Sequence, residues 1–530
     1  MPTNSKTYRG VSGPSEGVRQ PSVRAAQDQG EVIQFLSSPE NHGGLPVQRI
    51  DTHISHIFLV GDRVYKLKQA VKFNFIDYST LELREKACRK EVSINQSTAP
   101  DLYLGVVPVT RSLEDSFELG GEGKPVEWLV EMVRFDRDTQ FDHLAENEAL
   151  TNSLMTQLAD NIAHSHMNAS HSVDHGGYGR MKGLAENVVD TLSSLSDSPF
   201  DPISLTHWST QILCAVESAH KLLEARKKHG SVRWCHGDLH LSNVCLFNEK
   251  PTPFDAIEFN DDLACIDVLY DFSFPLMDLI QFDCRLLANR FFNRYLEITR
   301  DYSGLELISL FLSLRAAIRA MALALGELDG QKVARCKKYF GLASSFLSGS
   351  HSPTLVAIGG PSGSGKSTLA RALALDIAKG PGAVILHSDV IRKRISGVAP
   401  ETRLGAEAYT KDIGEKVYRR LVRDAGRALR ARQTVIADAT FLQAEDRQTM
   451  IRLADQLRIP FYGLWLDAPV ADMEVRLTKR RGDASDATVE VLSEQVKKDF
   501  GPIDWVRINS GMTFQQTQRA ALSALKPHKE

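Results

Sequence analysis

The sequence predicts two domains of different class: an α+β domain over residues 30–348 and an α/β domain with a parallel sheet over residues 354–530. Three observations predict this division. A β-hairpin pattern is followed by a long helical stretch, which is typical of an α+β domain. Farther along, buried-type strands alternate with helices, which indicates a parallel sheet with helices on both faces. A glycine-rich loop joins the first of those strands to its helix. A chain of 530 residues is also too long for one core.

The composition indicates a cytosolic protein without a basic binding surface. The 63 Lys+Arg residues nearly balance the 66 Asp+Glu residues, so we expect neither nucleic acid nor a membrane surface as a partner. The seven cysteines are odd in number and form no C-x-x-C pair, which is typical of reduced thiols. No apolar run reaches the ~18 residues of a bilayer span. Residues 1–29 are polar and are predicted to be a disordered tail, and residues 349–353 to be a linker.

The first domain begins with a hairpin and continues into helices. Gly61-Asp62 is a turn signal between two apolar runs, and Lys66 lies in the second strand. A helix that carries Glu91 follows. A short strand-loop-strand is predicted within residues 232–246. In chain order, the other elements predicted from periodicity are strands at 57–60, 63–67, 104–109 and 127–133 and helices at 80–98, 154–166 and 206–228.

The loop within 232–246 carries a pattern typical of phosphoryl transfer. In His236-Gly237-Asp238, the aspartate lies five residues before Asn243, which is the spacing of H-R-D-x-x-x-x-N. This spacing lets one loop present a base, Asp238, and a metal ligand, Asn243, at one point.

An upstream lysine and glutamate complete the pattern. Lys66 on a strand and Glu91 on the next helix are expected to form the ion pair that holds ATP phosphates. Lys68, two residues along the same strand face, is the alternative to Lys66, and Glu85 is the alternative to Glu91.

His236-Gly237-Asp238-Leu239-His240-x-x-Asn243 resembles the catalytic loop of the aminoglycoside phosphotransferase family of kinase-fold enzymes. The resemblance covers about residues 31–348 and implies a protein-kinase-like, two-lobed fold. It also implies Asp238 as the catalytic base, Asn243 as a Mg²⁺ ligand, Lys66 as the phosphate lysine and Glu91 as its partner.

One position departs from that family. Ile257-Glu258-Phe259 stands where the family has an aspartate, so Glu258 is the expected metal ligand, with Asp255 or Asp267 as substitutes. Asp271 matches a family aspartate that braces the catalytic loop, and we expect a structural role for it. Arg315 and Arg319, four residues apart on an apolar helix, are interpreted as ion-pair partners.

The second domain contains a complete P-loop pattern. Gly360 to Ser367 fits G-x-x-x-x-G-K-[ST], with a strand before it and a helix after it. Lys366 is expected to reach the β- and γ-phosphates, and Ser367 to hold Mg²⁺. Its glycines have no Cβ atoms that would clash, so the main-chain N–H groups of the loop can turn toward a phosphate. The positive end of the helix dipole adds to the attraction. The predicted nucleotide-binding residues are Gly360, Gly363, Ser364, Gly365, Lys366, Ser367 and Thr368.

Two carboxylates end the next predicted strands, and arginines follow. Asp389 ends the strand after the P-loop helix, and Asp438 ends the one after that. The carboxyl ends of parallel strands share one edge, so both should face the phosphates, with Asp438 organising Mg²⁺. Arg476 and Arg480 share a helix face and are expected to close over the phosphates as a lid.

Residues 354–522 resemble small P-loop kinases such as gluconate and shikimate kinases, and also zeta-toxin-like kinases. The resemblance implies that Asp389 binds the acceptor hydroxyl and takes its proton, although Ser388-Asp389 also suits a helix N-cap. The whole chain resembles bacterial fusions of the two domain types.

We therefore expect an ATP- and Mg²⁺-dependent phosphotransferase that acts on a hydroxyl of a small metabolite, with a second ATP-binding site. Two alternatives stay open. One is a single catalytic domain regulated by a nucleotide-sensing partner domain. The other is a toxin-like or stress-response kinase. The acceptor and the oligomeric state are not predicted from the sequence.

Overall fold

The computed structural model describes residues 28–73, 76–348, 352–479 and 485–525. Most of the predicted tail and residues 349–351 of the predicted linker lie outside these ranges. The chain forms two compact units, one of Met1–Cys284 with Leu310–Ser348 and one of Arg285–Ser309 with Gly349–Glu530. The segment Arg285–Ser309 therefore groups with the second unit, although the sequence places it in the first domain.

The first unit is built on a six-stranded antiparallel sheet. The spatial order of its strands is Val47–Asp51, Ser55–Val60, Arg63–Lys68, Lys124–Val133, Tyr103–Arg111 and Phe117–Leu119. The predicted hairpin is present, with Val60 opposite Arg63 and Gly61 at φ +56° in the turn. Helix Leu81–Asn95 packs on this sheet through buried Cys88 and Val92, which places Glu91 beside the strand of Lys66.

The remainder of the first unit is mainly helical, and two of its short strand pairs flank the predicted catalytic loop. The short pairs are Lys72–Phe73 with Ile76–Asp77, Val232–Trp234 with Cys265–Asp267, and Val244–Phe247 with Lys250–Pro253. The α-helices are Gly30–Ser37, Leu81–Asn95, Phe141–Glu146, Asn152–Asn168, Gly177–Ser193, Pro202–Ser218, His220–Lys228, Asp261–Ala264, Val268–Gln281, Ile308–Ala324, which begins two residues before the unit boundary, and Gly330–Leu347. A sheet followed by a helical part confirms the predicted α+β, two-lobed class.

The second unit is a five-stranded, entirely parallel sheet. Its spatial order is Val384–His387, Val435–Asp438, Leu355–Gly359, Phe461–Asp467 and Val506–Asn509. Successive residues of the central strand Leu355–Gly359 are all buried, so helices cover both faces. The α-helices are Arg285–Thr299, Lys366–Leu373, Ser388–Ile395, Lys411–Arg430, Ala444–Leu457, Val470–Lys479, Val489–Val496 and Phe514–Ala524. The predicted α/β class is confirmed.

Helix Arg285–Thr299 joins the second unit through its asparagines. The Asn289 amide donates to Pro381 O at 2.8 Å and to Ala383 O at 3.1 Å. Asn293 Oδ1 accepts from Ile385 N at 2.7 Å. These side chains satisfy main-chain groups at the edge of strand Val384–His387, which would otherwise be buried without partners.

One segment of the described residues is long and apolar enough to cross a bilayer. It is Ser303–Ala324, and 72% of its most apolar window is buried within the protein. A core helix of a soluble protein passes the same test of length and composition, so this segment is weak evidence for a membrane span.

Candidate active sites

The predicted catalytic loop of the first unit follows strand Val232–Trp234 and depends on a glycine. Gly237 has φ +84°, and a Cβ atom there would lie 2.8 Å from Leu263 O. Asp271 accepts from Gly237 N at 2.9 Å and from His236 N at 3.3 Å. The Asp271 side chain therefore holds the loop through main-chain N–H groups, and this is the bracing position that was predicted for it.

Asp271 is itself held by two basic side chains. His166 Nε2 lies 3.1 Å from its Oδ2, and Arg315 Nη2 lies 3.7 Å from its Oδ1. Burial acts to raise the pKa of Asp271, but His166, His236 and Arg315 together hold it below its usual value. Arg315 also donates to Gly237 O at 3.2 Å, so it ties the helix Ile308–Ala324 to the catalytic loop.

Asp238 and Asn243 meet as the spacing predicts. The Asn243 amide donates to Asp238 O at 2.9 Å and lies 3.3 Å from Asp238 Oδ2. His240 Nε2 lies 3.4 Å from the same carboxylate oxygen. Burial acts to raise the pKa of Asp238, but His240, Arg319 and His236 outweigh it and keep the carboxylate ionised. An ionised carboxylate next to an amide oxygen can orient a hydroxyl and share a cation.

Lys66 forms the predicted ion pair with Glu91 and a second one with Asp255. Lys66 Nζ lies 2.8 Å from Glu91 Oε1 and 2.6 Å from Asp255 Oδ1. Burial acts to lower the pKa of Lys66, but the two carboxylates raise it well above its usual value. The Asp255 side chain is 35% exposed and its φ is +62°, so a partly open carboxylate is held in a strained conformation beside the lysine.

Glu258, the expected metal ligand, is engaged elsewhere. It is 4% exposed, it is paired with Lys68, and it accepts from the Tyr78 hydroxyl at 2.9 Å. Lys68 also contacts Glu91, so the two lysines share one glutamate. Both contacts of Glu258, with Lys68 and with Tyr78, are made by Oε1, so one oxygen of the Glu258 carboxylate is occupied. The side chain of Asp255, one of the two substitutes, is 35% exposed and the Glu258 side chain is 5% exposed, so Asp255 is the more open carboxylate, and which of the two holds a metal stays a prediction.

Asp267, the other substitute, serves the fold. Its two oxygens accept from Arg226 Nε at 2.6 Å and from Arg226 Nη2 at 2.8 Å. It also accepts from Leu269 N as the N-cap of helix Val268–Gln281. A bidentate arginine pair plus a cap occupies both oxygens.

The P-loop of the second unit has the backbone that its pattern predicts. Gly360, Gly363 and Gly365 have φ values of +136°, +80° and +95°. Added Cβ atoms would lie 2.6 Å from Leu466 O at Gly360 and 2.7 Å from Met473 O at Gly363. Because close neighbours leave no room, only glycine fits at these two positions.

The helix that follows the P-loop begins without a side-chain cap. Gly365 is the N-cap of Lys366–Leu373 and offers no side-chain acceptor to the first turn. Lys366 Nζ donates to Pro361 O at 2.8 Å across the loop. Ser364 is fully buried, while Thr368 is exposed on the helix. An uncapped first turn with an adjacent lysine is an arrangement suited to an anion such as phosphate.

The register of the parallel strands places Asp438, one of the two predicted carboxylates, beside the strand that leads into the P-loop. Strand pairing sets Ile358 and His387 on either side of Asp438. Burial acts to raise the pKa of Asp438, but hydrogen bonding with His387 and Ser367 and the charge of Lys366 lower it. Asp389 is also within electrostatic reach of Asp438 and Lys366, and burial, the main cause, raises its pKa. Asp389 lies inside helix Ser388–Ile395, whose N-cap is His387, so the N-cap alternative does not hold.

The structure describes one of the two predicted lid arginines. Arg476 donates to Ser510 O at 2.7 Å and lies 3.4 Å from Gly363 O, so it contacts the P-loop main chain. Arg480 lies outside the described residues. Its role and that of Arg476 stay predictions.

One residue that the sequence analysis did not single out is His387. Its Nδ1 lies 2.7 Å from Asp438 Oδ2. Burial acts to lower the pKa of His387, but Asp438 raises it above the usual value. The position of His387 at the end of a predicted strand could have identified it. That strand lies next to the strand of Asp438, and polar residues at that edge of a parallel sheet face the site.

Comparison with known proteins gives matches for both parts of the chain. Residues 355–501 match the family model described as AAA domain. An uncharacterized protein of Mycobacterium tuberculosis strain H37Rv is 26% identical over 478 residues, which are 86% of this chain and 92% of that protein. An uncharacterized protein of Mycobacterium bovis matches to the same extent, with 26% identity over 478 residues.

Three of the solved structures that resemble parts of this chain are a gluconokinase, a choline kinase and an APS kinase. A gluconokinase from Sinorhizobium meliloti is 21% identical and covers 33% of this chain and 93% of its own, with a TM-score of 0.24. A choline kinase from Cryptosporidium parvum is 12% identical and covers 60% of this chain and 94% of its own, with a TM-score of 0.39. The APS kinase of Mycobacterium tuberculosis, solved with AMPPNP and APS, is 22% identical and covers 33% of this chain and 97% of its own, with a TM-score of 0.25.

Proposed function

We propose that the first unit is a cytoplasmic, ATP- and Mg²⁺-dependent phosphotransferase that acts on a hydroxyl of a small metabolite. The observation that carries the proposal is the convergence of two ion pairs on one lysine, because Lys66 contacts both Glu91 and Asp255. Together with Asp238 and Asn243 on one loop, these residues supply each part that phosphoryl transfer needs.

In this proposal each side chain has one task. Lys66, oriented by Glu91, binds the phosphates of ATP. Asp238 orients the acceptor hydroxyl and takes its proton as the acceptor oxygen forms a bond to the γ-phosphorus and the bond from that phosphorus to ADP breaks. Asn243 and Asp255 provide oxygen ligands of the kind that Mg²⁺ prefers, and the partly exposed Asp255 carboxylate fits that role. Bound Mg²⁺ supplies charge neutralisation of the phosphates.

The second unit is proposed to bind a second nucleotide. The P-loop amides and Lys366 hold its phosphates, and Ser367 and Asp438 form an oxygen-donor set that fits Mg²⁺. Asp389 is proposed to bind and deprotonate an acceptor hydroxyl there. Its position near Lys366 and Asp438 supports this role.

The test is a labelling screen on the full chain. γ-labelled ATP is supplied with a metabolite extract to wild type, Asp238→Asn and Lys366→Ala, with the exposed Asp197→Asn and Lys379→Ala as controls. We expect each site variant to lose a different labelled product by about 10²–10⁴-fold, while the controls match wild type. The first-unit proposal fails if Asp238→Asn retains every product.

The same experiment separates the regulatory alternative. If only one site variant removes turnover and the other changes its dependence on ATP concentration, one unit is catalytic and the other senses nucleotide. Growth arrest on expression, relieved by Lys366→Ala, would support the toxin-like alternative.

A further inference from the structure

A pocket in the first unit opens beside Asp238. Its walls are mostly apolar and come from helix Gly177–Ser193, the catalytic loop and helix Ile308–Ala324. The charged and polar side chains that line it with Asp238 are Arg180, Asp262, Asp267, Tyr270, Arg315 and Arg319. A pocket with the base at its wall is where an acceptor would bind.

Three of these side chains have buried polar groups without a hydrogen-bond partner among the described residues. They are the Tyr270 hydroxyl, Arg315 Nη2 and Arg319 Nε. Tyr270 is 3% exposed and Arg315 is 5% exposed. The nearest carboxylate oxygen to Arg315 Nη2 is that of Asp271 at 3.7 Å, which is beyond hydrogen-bond distance.

All three groups can donate, and the two arginine groups can only donate, which restricts the ligand. Arginine N–H groups donate and cannot accept, and a neutral tyrosine hydroxyl has a proton to donate. Buried donors without acceptors are rare in native proteins and call for an explanation. Three of them around one pocket indicate a ligand rich in acceptor oxygens.

The charges of the pocket also favour an anionic ligand. Asp267 is neutralised by Arg226, and Asp262 is more than half exposed and lies near His175. Arg180 is half-buried and has no ion pair or hydrogen bond within the described part of the chain. Arg315 is counted against Asp271, so Arg180 and Arg319 are left beside Asp238, an excess of one cation among the groups of the first unit's pocket that are not exposed.

We infer that the acceptor of the first unit carries an anionic group, a phosphate ester or a carboxylate, in addition to the hydroxyl that Asp238 deprotonates. Arg180 and Arg319 bind the anion. Arg315 positions the loop through Gly237 and adds one donor. The apolar walls contact the carbon skeleton. This inference rests on the proposed function only for the identity of the hydroxyl, because anion binding can be measured without turnover.

The first arm of the test measures binding. Inorganic phosphate is titrated by calorimetry into the full chain saturated with Mg²⁺ and a non-hydrolysable ATP analogue, so that both nucleotide sites are occupied. We expect Arg319→Gln and Arg180→Gln each to weaken phosphate binding at least tenfold. Lys182→Gln, an exposed lysine on the same helix as Arg180, should match wild type. Arg180→Gln is the informative variant if Arg319→Gln fails to fold.

The second arm measures turnover. The metabolite extract is separated into anionic, neutral and cationic fractions before labelling, and part of the anionic fraction is treated with a phosphatase. We expect the Asp238-dependent product only from the anionic fraction. Its loss after phosphatase treatment identifies a phosphate ester, and its survival identifies a carboxylate. The arginine variants should raise KM at least tenfold with a smaller change in kcat.

The outcomes separate the two proposals. Phosphate binding that depends on Arg180 and Arg319, without any transfer, supports the anion subsite and overturns the proposed function. Transfer to a neutral or cationic acceptor supports the function and overturns the inference. Absence of phosphate binding, or equal binding by wild type and the arginine variants, also overturns the inference.

Discussion

In the second unit one continuous stretch, Gly360 to Ser367, supplies the turn, the lysine and the hydroxyl of the candidate site. In the first unit the corresponding groups come from distant parts of the chain, since Lys66 and Asp255 are 189 residues apart. One site is made by the backbone of a loop and the other by side chains that only the tertiary fold brings together. They should therefore fail in different ways when mutated.

The two lysines of strand Arg63–Lys68 are the sharpest test of the side-chain site. Lys66→Met should lower Asp238-dependent transfer about 10²–10³-fold with a small change in stability, because Glu91 retains Lys68. Lys68→Met should cost about 3–5 kcal/mol of unfolding free energy, because it leaves Glu258 buried without its ammonium. Label transfer and denaturant unfolding measure both. Native stability in Lys68→Met together with lost transfer would mean that the roles are exchanged.

The carboxylates paired with those lysines give the next largest effect. Asp255→Asn should lower transfer about 10²-fold and raise the Mg²⁺ concentration needed for half-maximal rate, because it removes a proposed ligand. Glu258→Gln should cost about 1–3 kcal/mol of stability with an unchanged Mg²⁺ requirement, because it weakens a buried pair. Magnesium titrations of the initial rate decide between them. A shifted requirement in Glu258→Gln alone would restore Glu258 as the ligand.

The difference between the sites also explains what could be predicted from the sequence. The P-loop is local, so its motif predicts its conformation, and the end of a parallel strand predicts where Asp438 lies. The strand end predicted at Asp389 is wrong, because the strand ends at His387 and Asp389 lies in the next helix. The catalytic loop was found because Asp238 and Asn243 are also near in sequence.

Which of Asp255, Glu258 and Asp267 is already engaged in the fold was not predictable, because it depends on the contacts of Lys68, Tyr78 and Arg226. Those contacts join residues far apart in sequence. The grouping of Arg285–Ser309 with the second unit has the same origin, since the amides of Asn289 and Asn293 bind main-chain groups about 90 residues away. Local patterns identify motifs, but they do not show which charges the fold has already neutralised.

Two glycine substitutions test the P-loop site, which is formed by the backbone of one loop. Gly363→Ala should cost about 2–3 kcal/mol and weaken nucleotide binding to the second unit, because φ is +80° and the new Cβ would meet Met473 O. Gly397→Ala has a similar φ of +73° but nothing within 4 Å, so it should cost about 1 kcal/mol and leave nucleotide binding unchanged. Calorimetry with an ATP analogue and thermal unfolding measure the two effects. Equal behaviour of the two variants would show that strain alone, without the close approach, governs the loop.

The smallest effect concerns the helix that carries Glu91. The Thr80 hydroxyl accepts from Leu83 N at 3.3 Å as the N-cap of Leu81–Asn95, so Thr80→Ala should cost about 1 kcal/mol. Because the first site depends on how this helix is held, transfer by the first unit should also fall, by about twofold. Thr488→Ala removes the equivalent cap from Val489–Val496 in the second unit and is the matched control. It should lose similar stability while first-unit transfer stays at the wild-type rate. Loss of stability in Thr80→Ala without any loss of transfer would contradict this prediction. It would show that the position of Glu91 does not depend on the end of its helix. The site of the first unit would then be rigid although its residues come from distant parts of the chain.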